Sequence, residues 1–269
     1  MAPKSEPSGW PTALTAIEPG KILVRGYPID ELMGRVSFGD AIYLLLTGDL
    51  PSPSITKLID AILVAFIDHG VTPPPTLAAR HAASTGSAVS STVAAGVLAF
   101  GHHYGGGVKG CRQLLEDGLD MAGSSMLLAS AAADLAEHLV QRDRIPPPGF
   151  GHRYHSVDPR VTRLLQLAHE LEVDHLHTQY LRALEHALSR HPALLQESLP
   201  INVDGAIAAV CADLGLPSAV AEGLAVISRV PGLLAHAIEE QDRFGPMRHI
   251  DPALHHYDGP SERHLRDRR

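Results

Sequence analysis

Apolar residues recur at helical spacing along most of the chain, and short segments rich in glycine and proline separate these runs. The run SFGDAIYLLLTG begins with Ser37, an N-cap residue, and stops at Gly48. The run SPSITKLIDAILVAFIDHG repeats the same order of signals over a longer stretch. The pattern therefore predicts two helices that end near Gly48 and Gly70.

Small residues dominate the next apolar stretch, LAARHAASTGSAVSSTVAAGVLAFG. Small side chains allow helices to approach closely, so this stretch predicts a buried or dimer-forming helix pair and favours oligomerisation. A further long helical stretch is predicted from about Cys111 to Gln141, with an interruption at the polar residues 123 to 125.

The remaining elements are predicted from local end signals. Residues 19 to 30 indicate a short extended segment with a glycine turn, after which Asp30 caps a helix. Asp158 is the expected N-cap of a helix whose first residue is a proline. Residues 201 to 215 and 219 to 240 predict two more helices.

The composition sharpens the fold class. Of the 269 residues, 45% are hydrophobic but only 4% are aromatic, which favours a helical core of Ala, Leu and Val over a barrel or sandwich. We therefore expect an all-α protein. The net charge of -8 argues against a nucleic-acid partner, which requires clustered excess Lys and Arg. An anionic ligand has to be held by local arginines.

Cysteine and histidine usage gives no sign of a disulfide scaffold or a metal site. Cys111 and Cys211 lie in no C-x-x-C pair or zinc spacing, and most of the 17 histidines stand singly on charged faces. The first residues lack an apolar leader, and we expect no stretch long and apolar enough to span a bilayer. The sequence thus predicts a cytoplasmic protein with no metal and no membrane partner.

Three glycine-rich segments carry polar residues that a packed core does not need: residues 68 to 70, 101 to 107 and 146 to 160. Glycine permits close approach of backbone to a ligand, and histidine is suited to proton transfer near neutral pH. These segments indicate a site assembled from loops. Two structural alternatives stay open: Asp-His-Gly around His69 is also an ordinary helix C-cap, and the glycine triplet is also a plain hinge.

The third segment, PPPGFGHRYHSVDPR, is the most specific of the three. It presents His152 on a stiffened loop, and Arg160 in the following helix can hold a carboxylate by a planar contact. The alternative is a structural histidine with solvent-facing arginines. Asp204 in NVDG is either a catalytic carboxylate or an N-cap. Arg229 lies on an apolar helix face, and burial of its charge favours a bound carboxylate.

The order of these motifs resembles the citrate synthase superfamily, particularly its short members, the citryl-CoA lyases and the carboxy-terminal domain of ATP-citrate lyase. The resemblance covers about residues 19 to 252, including DHGVTPP, the GGG loop, NVDGAI and SRVPGLLAHAIEEQDRFGPMR. It implies a mainly helical homodimer. Residues 1–104 and 201–269 would form a large, dimerising domain, and residues 105–200 a small, mobile domain that binds coenzyme A.

The resemblance also implies a role for each site residue. His69 would touch the oxaloacetate or citrate moiety, His152 would exchange a proton with its oxygen, and Asp204 would move the proton on the acetyl carbon. Arg160 and Arg229 would bind carboxylates. Arg248 would reach the site of the neighbouring subunit. The loop that would bind coenzyme A consists of Pro148, Gly149, Phe150 and Gly151.

Two departures from the family pattern bear on mechanism. Tyr104 stands where citrate synthases place the histidine that hydrogen-bonds the thioester enolate. Its hydroxyl can donate to the enolate oxygen, or His102 or His103 has taken over that contact. The stretch from His152 to Arg160 is one residue shorter than usual, and Ser156 stands near where a basic residue commonly meets the coenzyme.

The expected activity is that of a citryl-CoA lyase, because the GGG loop is altered and the chain is shorter than standard citrate synthases. Alternatives are a citrate or 2-methylcitrate synthase, another acyl-CoA carbon–carbon lyase, and a non-catalytic acyl-CoA or dicarboxylate-binding relative. No tightly bound cofactor is expected, since the coenzyme A thioester is substrate or product. A separate ligase that forms citryl-CoA is an expected partner.

Overall fold

The computed structural model describes residues 9–101, 104–123, 127–142 and 145–264. Over these ranges the chain is mainly helical, as the composition predicted, with one small antiparallel sheet. The strands are β1 (Thr15–Glu18), β2 (Lys21–Val24) and β3 (Tyr27–Pro28). The helices are α1 (Ile29–Leu32), α2 (Phe38–Thr47), α3 (Pro53–Ala65), α4 (Pro74–Ser84), α5 (Val89–Leu98), α6 (Gly107–Ala122), α7 (Leu128–Gln141), α8 (Pro159–Glu170), α9 (Leu176–Arg190), α10 (Val203–Asp213) and α11 (Ser218–Arg243).

The amino-terminal extended segment is a three-stranded sheet in the order β1-β2-β3. The side chain of Arg25 anchors it to α2, since Nη2 donates to the Leu45 carbonyl at 2.7 Å. The expectation that Asp30 caps the next helix was wrong. Pro28 is the N-cap, with φ -58° and ψ 130°, because its ring fixes φ where the chain leaves the sheet, and Asp30 lies in the first turn of α1.

Helix α2 has both predicted ends. Ser37 accepts from the Asp40 N–H, Asp40 accepts from the Ser37 N–H, and Gly48 closes the helix with φ 103°. Helix α3, by contrast, ends at Ala65 rather than near Gly70. The carbonyl of the next residue, Phe66, accepts a hydrogen bond from Arg229 Nε at 2.9 Å, so tertiary contact ends the helix early.

The stretch of small residues forms the predicted helix pair, α4 and α5, and both helices pack against α11. Gly96 shows why a small residue is needed there. A Cβ atom at Gly96 would lie 2.9 Å from the Leu233 side chain and 3.0 Å from the Pro75 carbonyl oxygen. The close approach of these helices therefore depends on the missing side chain.

Helix α10 lies at the centre of the core, and nearly all its residues are buried. It packs against α6, α8, α9 and α11. The stretch predicted from Cys111 to Gln141 is the two helices α6 and α7. Helix α9 was missed by the sequence analysis, although Tyr180, Leu181 and Leu184 are fully buried on its inner face.

Helix α11 corrects one further expectation. Its 26 residues are long and apolar enough, by length and composition, to cross a membrane. It packs against α3, α4, α5, α6 and α10, so its apolar residues contribute to the core. Pro231 lies inside the helix, and the fully buried Arg229 faces the group of polar residues described next.

Candidate active site

Four of the predicted site residues form one hydrogen-bonded group. Arg160 Nη1 lies 2.6 Å from His69 Nε2, and His69 Nδ1 lies 3.1 Å from the Tyr104 hydroxyl oxygen. Arg229 Nη1 donates to the same hydroxyl oxygen at 3.4 Å. Residues far apart in the sequence thus meet in the folded chain. His69 and Tyr104 come from the predicted loops, whereas Arg160 and Arg229 lie on helices α8 and α11.

His69 lies beyond the end of α3, so the helix-cap interpretation of this histidine was wrong; the C-cap is Phe66. One face of α11 holds the segment that carries His69. Arg229 binds the Phe66 carbonyl, and His236 Nε2 lies 3.1 Å from Asp68 Oδ1. A Cβ at Gly232 would overlap the backbone of this segment. The position of His69 therefore depends on α11.

Arg160 is held by the acid that caps its own helix. Asp158 Oδ1 accepts the Arg160 backbone N–H at 2.9 Å, and the two side chains pair through Nε–Oδ1 at 2.9 Å and Nη2–Oδ2 at 2.6 Å. Burial opposes ionisation of Asp158, but these Arg160 contacts keep its pKa below the ordinary value. Asp158 is the N-cap of α8, as predicted. The alternative of a solvent-facing arginine does not hold for Arg160, whose side chain is only 25% exposed.

The ring of His69 is neutral. Burial, then the charges of Arg229 and Arg160, lower its pKa to about 3, against a smaller opposite effect of Asp68 and Asp158. An arginine N–H can only donate, so His69 Nε2 accepts from Arg160 and the proton is on Nδ1. The Nδ1–H group then donates to the Tyr104 hydroxyl oxygen.

Arg229 is fully buried, and no carboxylate pairs with it within the described ranges. Nε and Nη1 have partners, and the guanidinium lies 4.9 Å from the Phe66 ring centre. Nη2 is buried and without a hydrogen-bond partner among the described residues. A buried guanidinium with a free donor is suited to bind an anionic group of a ligand.

Asp204 is not an N-cap, so that alternative was wrong. Asn202 caps α10 by accepting the Gly205 N–H at 3.2 Å, and Asp204 lies in the first turn. Asp204 Oδ1 is buried without a partner among the described residues, and a Cβ at Gly107 would overlap its carboxylate. Burial raises the pKa of Asp204 to about 6, although Arg160 and Arg229 act in the opposite direction. Asp204 can therefore exchange a proton near neutral pH.

The glycine loop before His152 is fixed to the start of α10. Gly151 N–H donates to the Pro200 carbonyl at 2.8 Å, and the Asn202 N–H donates to the Gly149 carbonyl at 3.0 Å. Gly149 has φ 86°, and a Cβ there would lie 3.0 Å from Gly205. The side chain of Phe150 belongs to the core, whereas Pro148 is exposed.

His152 lies at the end of this loop, apart from the His69 group. Its Nδ1 accepts the backbone N–H groups of Tyr154 and His155, each at 3.0 Å, which places the ring proton on Nε2. Partial burial and the neighbouring His155 lower its pKa, and Asp158 opposes this shift. His152 is neutral at physiological pH and presents an N–H donor.

Arg248 also lies apart from the His69 group. Arg248 pairs with Glu240 of its own chain through Nε at 2.7 Å and Nη2 at 2.8 Å, beside the buried Arg80–Glu240 pair. Its contribution to a second subunit stays a prediction. His103, like His102, lies outside the described residues.

Two supporting residues were not predicted from the sequence: Asp158 was expected only as a helix cap, and His236 was not identified. The signal for His236 was its position seven residues after Arg229, which places both on one face of α11. A cavity of about 500 Å³ adjoins this region, between α8, α9 and residues 200–201. Asp158 lines it, whereas His69, Tyr104 and Asp204 do not.

Residues 51–250 match the family model of the citrate synthase C-terminal domain. Citrate synthase from Heyndrickxia coagulans is 28% identical over 221 residues, which are 80% of this chain and 54% of that protein. A probable ATP-citrate synthase from Dictyostelium discoideum is 26% identical over 253 residues, 86% of this chain and 38% of that protein. The chain thus spans about half the length, or less, of these curated relatives.

A solved structure matches over nearly its full length. Citryl-CoA lyase from Hydrogenobacter thermophilus superposes with a TM-score of 0.84 and 35% sequence identity, over 95% of this chain and 97% of that chain. The match extends the agreement beyond the C-terminal domain to the fold as a whole. The chain belongs to the citrate synthase family, whose members named here are carbon–carbon synthases and lyases.

Proposed function

We propose that the protein is a citryl-CoA lyase, which cleaves citryl-CoA to acetyl-CoA and oxaloacetate. One observation carries this proposal: the buried cation Arg229 has a donor, Nη2, without a partner among the described residues, and its charge acts on the pKa of Asp204, which burial raises to about 6. A cation that can bind a carboxylate lies near an acid that can exchange a proton. This pair suits a substrate that carries carboxylates and has a carbon atom that gains a proton in the reaction. The near full-length similarity to a citryl-CoA lyase supports the choice of substrate.

Binding of the substrate would use the arginines first. Arg229 offers Nη2, which has no partner among the described residues, to one carboxylate. Arg160, already oriented by Asp158, offers its two remaining N–H groups to a second. We also propose that the protein is a homodimer in which the partner's Arg248 completes the site. His152 and Arg160 lie in the proposed small domain, and His69, Tyr104, Asp204 and Arg229 in the proposed large domain. Arg160 already contacts His69 across this boundary at 2.6 Å, so domain closure would bring His152 towards the site.

The reaction would proceed by proton transfers between substrate and side chains. His152 takes the hydroxyl proton of the citryl group, and the carbon–carbon bond breaks. Oxaloacetate leaves with a new carbonyl, and the bonding electron pair passes to the thioester as its enolate. Protonated Asp204 then gives its proton to the enolate carbon, which completes acetyl-CoA. Each such acid or base contributes about 10²- to 10⁴-fold in rate.

The conformation of His152 favours a second candidate, the condensing reaction of a citrate or 2-methylcitrate synthase. His152 Nε2 carries the proton and Nδ1 is occupied by two backbone N–H groups, so the ring is prepared to donate to a carbonyl. Cleavage would require Nδ1 to release these N–H groups. In the condensation, Asp204 removes the acetyl proton instead of supplying it.

The test compares both directions with one protein preparation. Oxaloacetate released from citryl-CoA is followed with malate dehydrogenase, and condensation of acetyl-CoA with oxaloacetate is followed by the released thiol. We expect faster cleavage than condensation. Faster condensation would assign the synthase, and coenzyme A binding without turnover in either direction would indicate a non-catalytic acyl-CoA-binding relative.

The lyase activity needs a supply of citryl-CoA. That thioester is formed from citrate and coenzyme A at the expense of a nucleoside triphosphate, so we propose a ligase of this class as the functional partner. No tightly bound cofactor is needed for the steps above, since the coenzyme A thioester itself carries the reacting carbon.

A further inference from the structure

Asn202 connects the first turn of α10 with the glycine loop, residues 148–151. Its Oδ1 accepts the Gly205 N–H at 3.2 Å, which caps α10, and its Nδ2 donates to the Gly151 carbonyl at 3.1 Å. Its backbone N–H donates to the Gly149 carbonyl at 3.0 Å. One residue thus binds the start of α10 and both glycines of the loop.

The helix cap alone does not require asparagine at position 202. Serine and aspartate are comparably good N-cap residues, because each supplies an oxygen that accepts an N–H of the first turn. Serine carries one polar atom, which cannot occupy both places of the amide, and ionised aspartate has no donor. The contact that is specific to asparagine is therefore the one to the Gly151 carbonyl.

The backbone segments that meet at Asn202 pack without side chains between them. A Cβ at Gly205 would overlap the Gly149 carbonyl, and a Cβ at Gly149 would overlap the Cys111 Sγ on α6. At the start of α6, a Cβ at Gly107 would overlap the Asp204 carboxylate. A displacement of the loop relative to α10 would therefore change the surroundings of Asp204.

The carboxyl of Asp204 depends on this packing for its position. Its Oδ1 is buried and has no hydrogen-bond partner among the described residues, so no contact at this atom fixes it. The charged and titratable groups that act on it are Arg160, Arg229 and the Cys111 thiol, from α8, α11 and α6. The place of the carboxyl is set by the backbone of α10 that carries it.

We infer that Asn202 is a positioning residue for the reaction: its side-chain amide fixes the glycine loop and the first turn of α10 to each other, and this sets where Asp204 lies relative to the reacting carbon. The inference rests on the proposed cleavage of an acyl-CoA thioester, in which the loop receives the thioester and Asp204 protonates the product carbon. Asn202 acts through the loop and Asp204, and no step requires it to exchange a proton.

Two substitutions separate the loop contact from the helix cap. Asn202→Ser keeps an oxygen for the Gly205 N–H but loses the donor to Gly151, whereas Asn202→Ala loses both. Asn202→Ser should keep most of the wild-type Tm and lower kcat by about three- to tenfold, the range expected for one hydrogen bond, with a smaller change in KM. Asn202→Ala should lower Tm as well. Serine is preferred to aspartate, because a charge two residues from Asp204 would itself change the pKa of that acid.

A purely structural role would give a different pattern. If Asn202→Ser restores kcat together with Tm, Asn202 acts only as the cap of α10, and the inference is overturned. The matched control is Ser37→Ala, which removes the N-cap of α2. This variant should lower Tm and leave kcat unchanged.

A double-mutant cycle tests whether Asn202 acts through Asp204. In the Asp204→Asn background, Asn202→Ser should lower the residual kcat by less than about twofold, since the acid that it places is absent. An equal loss of about three- to tenfold in both backgrounds would show that Asn202 acts independently of Asp204, and would overturn the inference.

A further measurement does not depend on turnover. Amide hydrogen exchange is followed by mass spectrometry in peptides that cover the glycine loop and α10. In Asn202→Ser the loop should exchange about three- to tenfold faster than in the wild type, whereas α10 should be unchanged because its cap is kept. Unchanged exchange of the loop would overturn the inference. Faster loop exchange, in a protein whose wild type does not cleave citryl-CoA, would instead contradict the proposed function alone.

Discussion

The Asp204→Asn substitution should abolish turnover and yet stabilise the protein near neutral pH. Burial raises the pKa of the Asp204 carboxyl from 3.8 to about 6 in the folded chain. The folded state therefore holds this proton at pH values where the unfolded state has lost it. Ionisation of the buried Asp204 carboxyl therefore lowers the free energy of unfolding. Asparagine does not ionise, so the substitution removes this loss of stability.

The magnitude follows from the two pKa values. The cost begins as the pH rises through 3.8, grows up to about pH 6, and is constant above it. At about 1.36 kcal/mol for each pKa unit, it reaches about 3 kcal/mol at pH 7.5. At pH 4.5 about 1 kcal/mol remains, because the folded carboxyl is protonated and the unfolded one is only partly ionised.

Thermal unfolding of the two proteins at pH 4.5 and 7.5 measures this difference. The advantage of Asp204→Asn should grow by about 2 kcal/mol between the two pH values, a change of roughly 4 to 8 °C in Tm. At the same time kcat should fall by about 10²- to 10⁴-fold. Asp117→Asn, on an exposed position of α6, is the control and should change neither quantity.

A stability difference that does not vary with pH would refute the assignment of a raised pKa to Asp204. An Asp204→Asn protein with nearly full turnover would refute its role as the acid that protonates the product carbon. The two failures are separable, since the first concerns the burial of the carboxyl and the second concerns its chemistry.

Three further substitutions test other parts of the site. Arg229→Gln should abolish the thermal stabilisation by citrate, which at a hundredfold excess over Kd amounts to about 2.7 kcal/mol in the wild type; equal stabilisation of both proteins would exclude Arg229 as a ligand contact. Gly149→Ala should lower the free energy of unfolding by more than about 1 kcal/mol in a denaturant titration, because φ is 86° and a Cβ would meet Gly205. Gly34 has φ 77° but open space around it, so Gly34→Ala should lower the free energy of unfolding by less in the same titration. His236→Ala should lower kcat several-fold by releasing Asp68, with a change in Tm too small to explain the loss; unchanged kcat would show that His69 is held without this contact.

Much of the fold was predictable because its signals are local. Ser37 and Asp158 cap helices as their side chains and neighbours indicated, and Gly48 ends a helix with positive φ. The early end of α3 was not predictable, since it depends on a hydrogen bond between Phe66 and Arg229, 163 residues away. Helix α9 was missed although its buried leucines have helical spacing.

The site was predictable in its residue types and not in its contacts. Arg229 was identified because a charge on an apolar helix face needs a partner. The structure buries it, and its Nη2 has no partner in the described part of the chain. The neutral tautomer of His69 depends on Arg160, 91 residues away, and the orientation of Tyr104 depends on Arg229, 125 residues away. Such contacts arise only from packing between helices.

Whether Asp204 drives citryl-CoA cleavage is decided by the rate of oxaloacetate release from citryl-CoA, measured side by side for the wild type, Asp204→Asn and Asp117→Asn. We expect rapid release by the wild type and Asp117→Asn and a loss of at least about a hundredfold in Asp204→Asn. Absence of release by a wild-type protein that binds coenzyme A, or equal release by all three proteins, would contradict it.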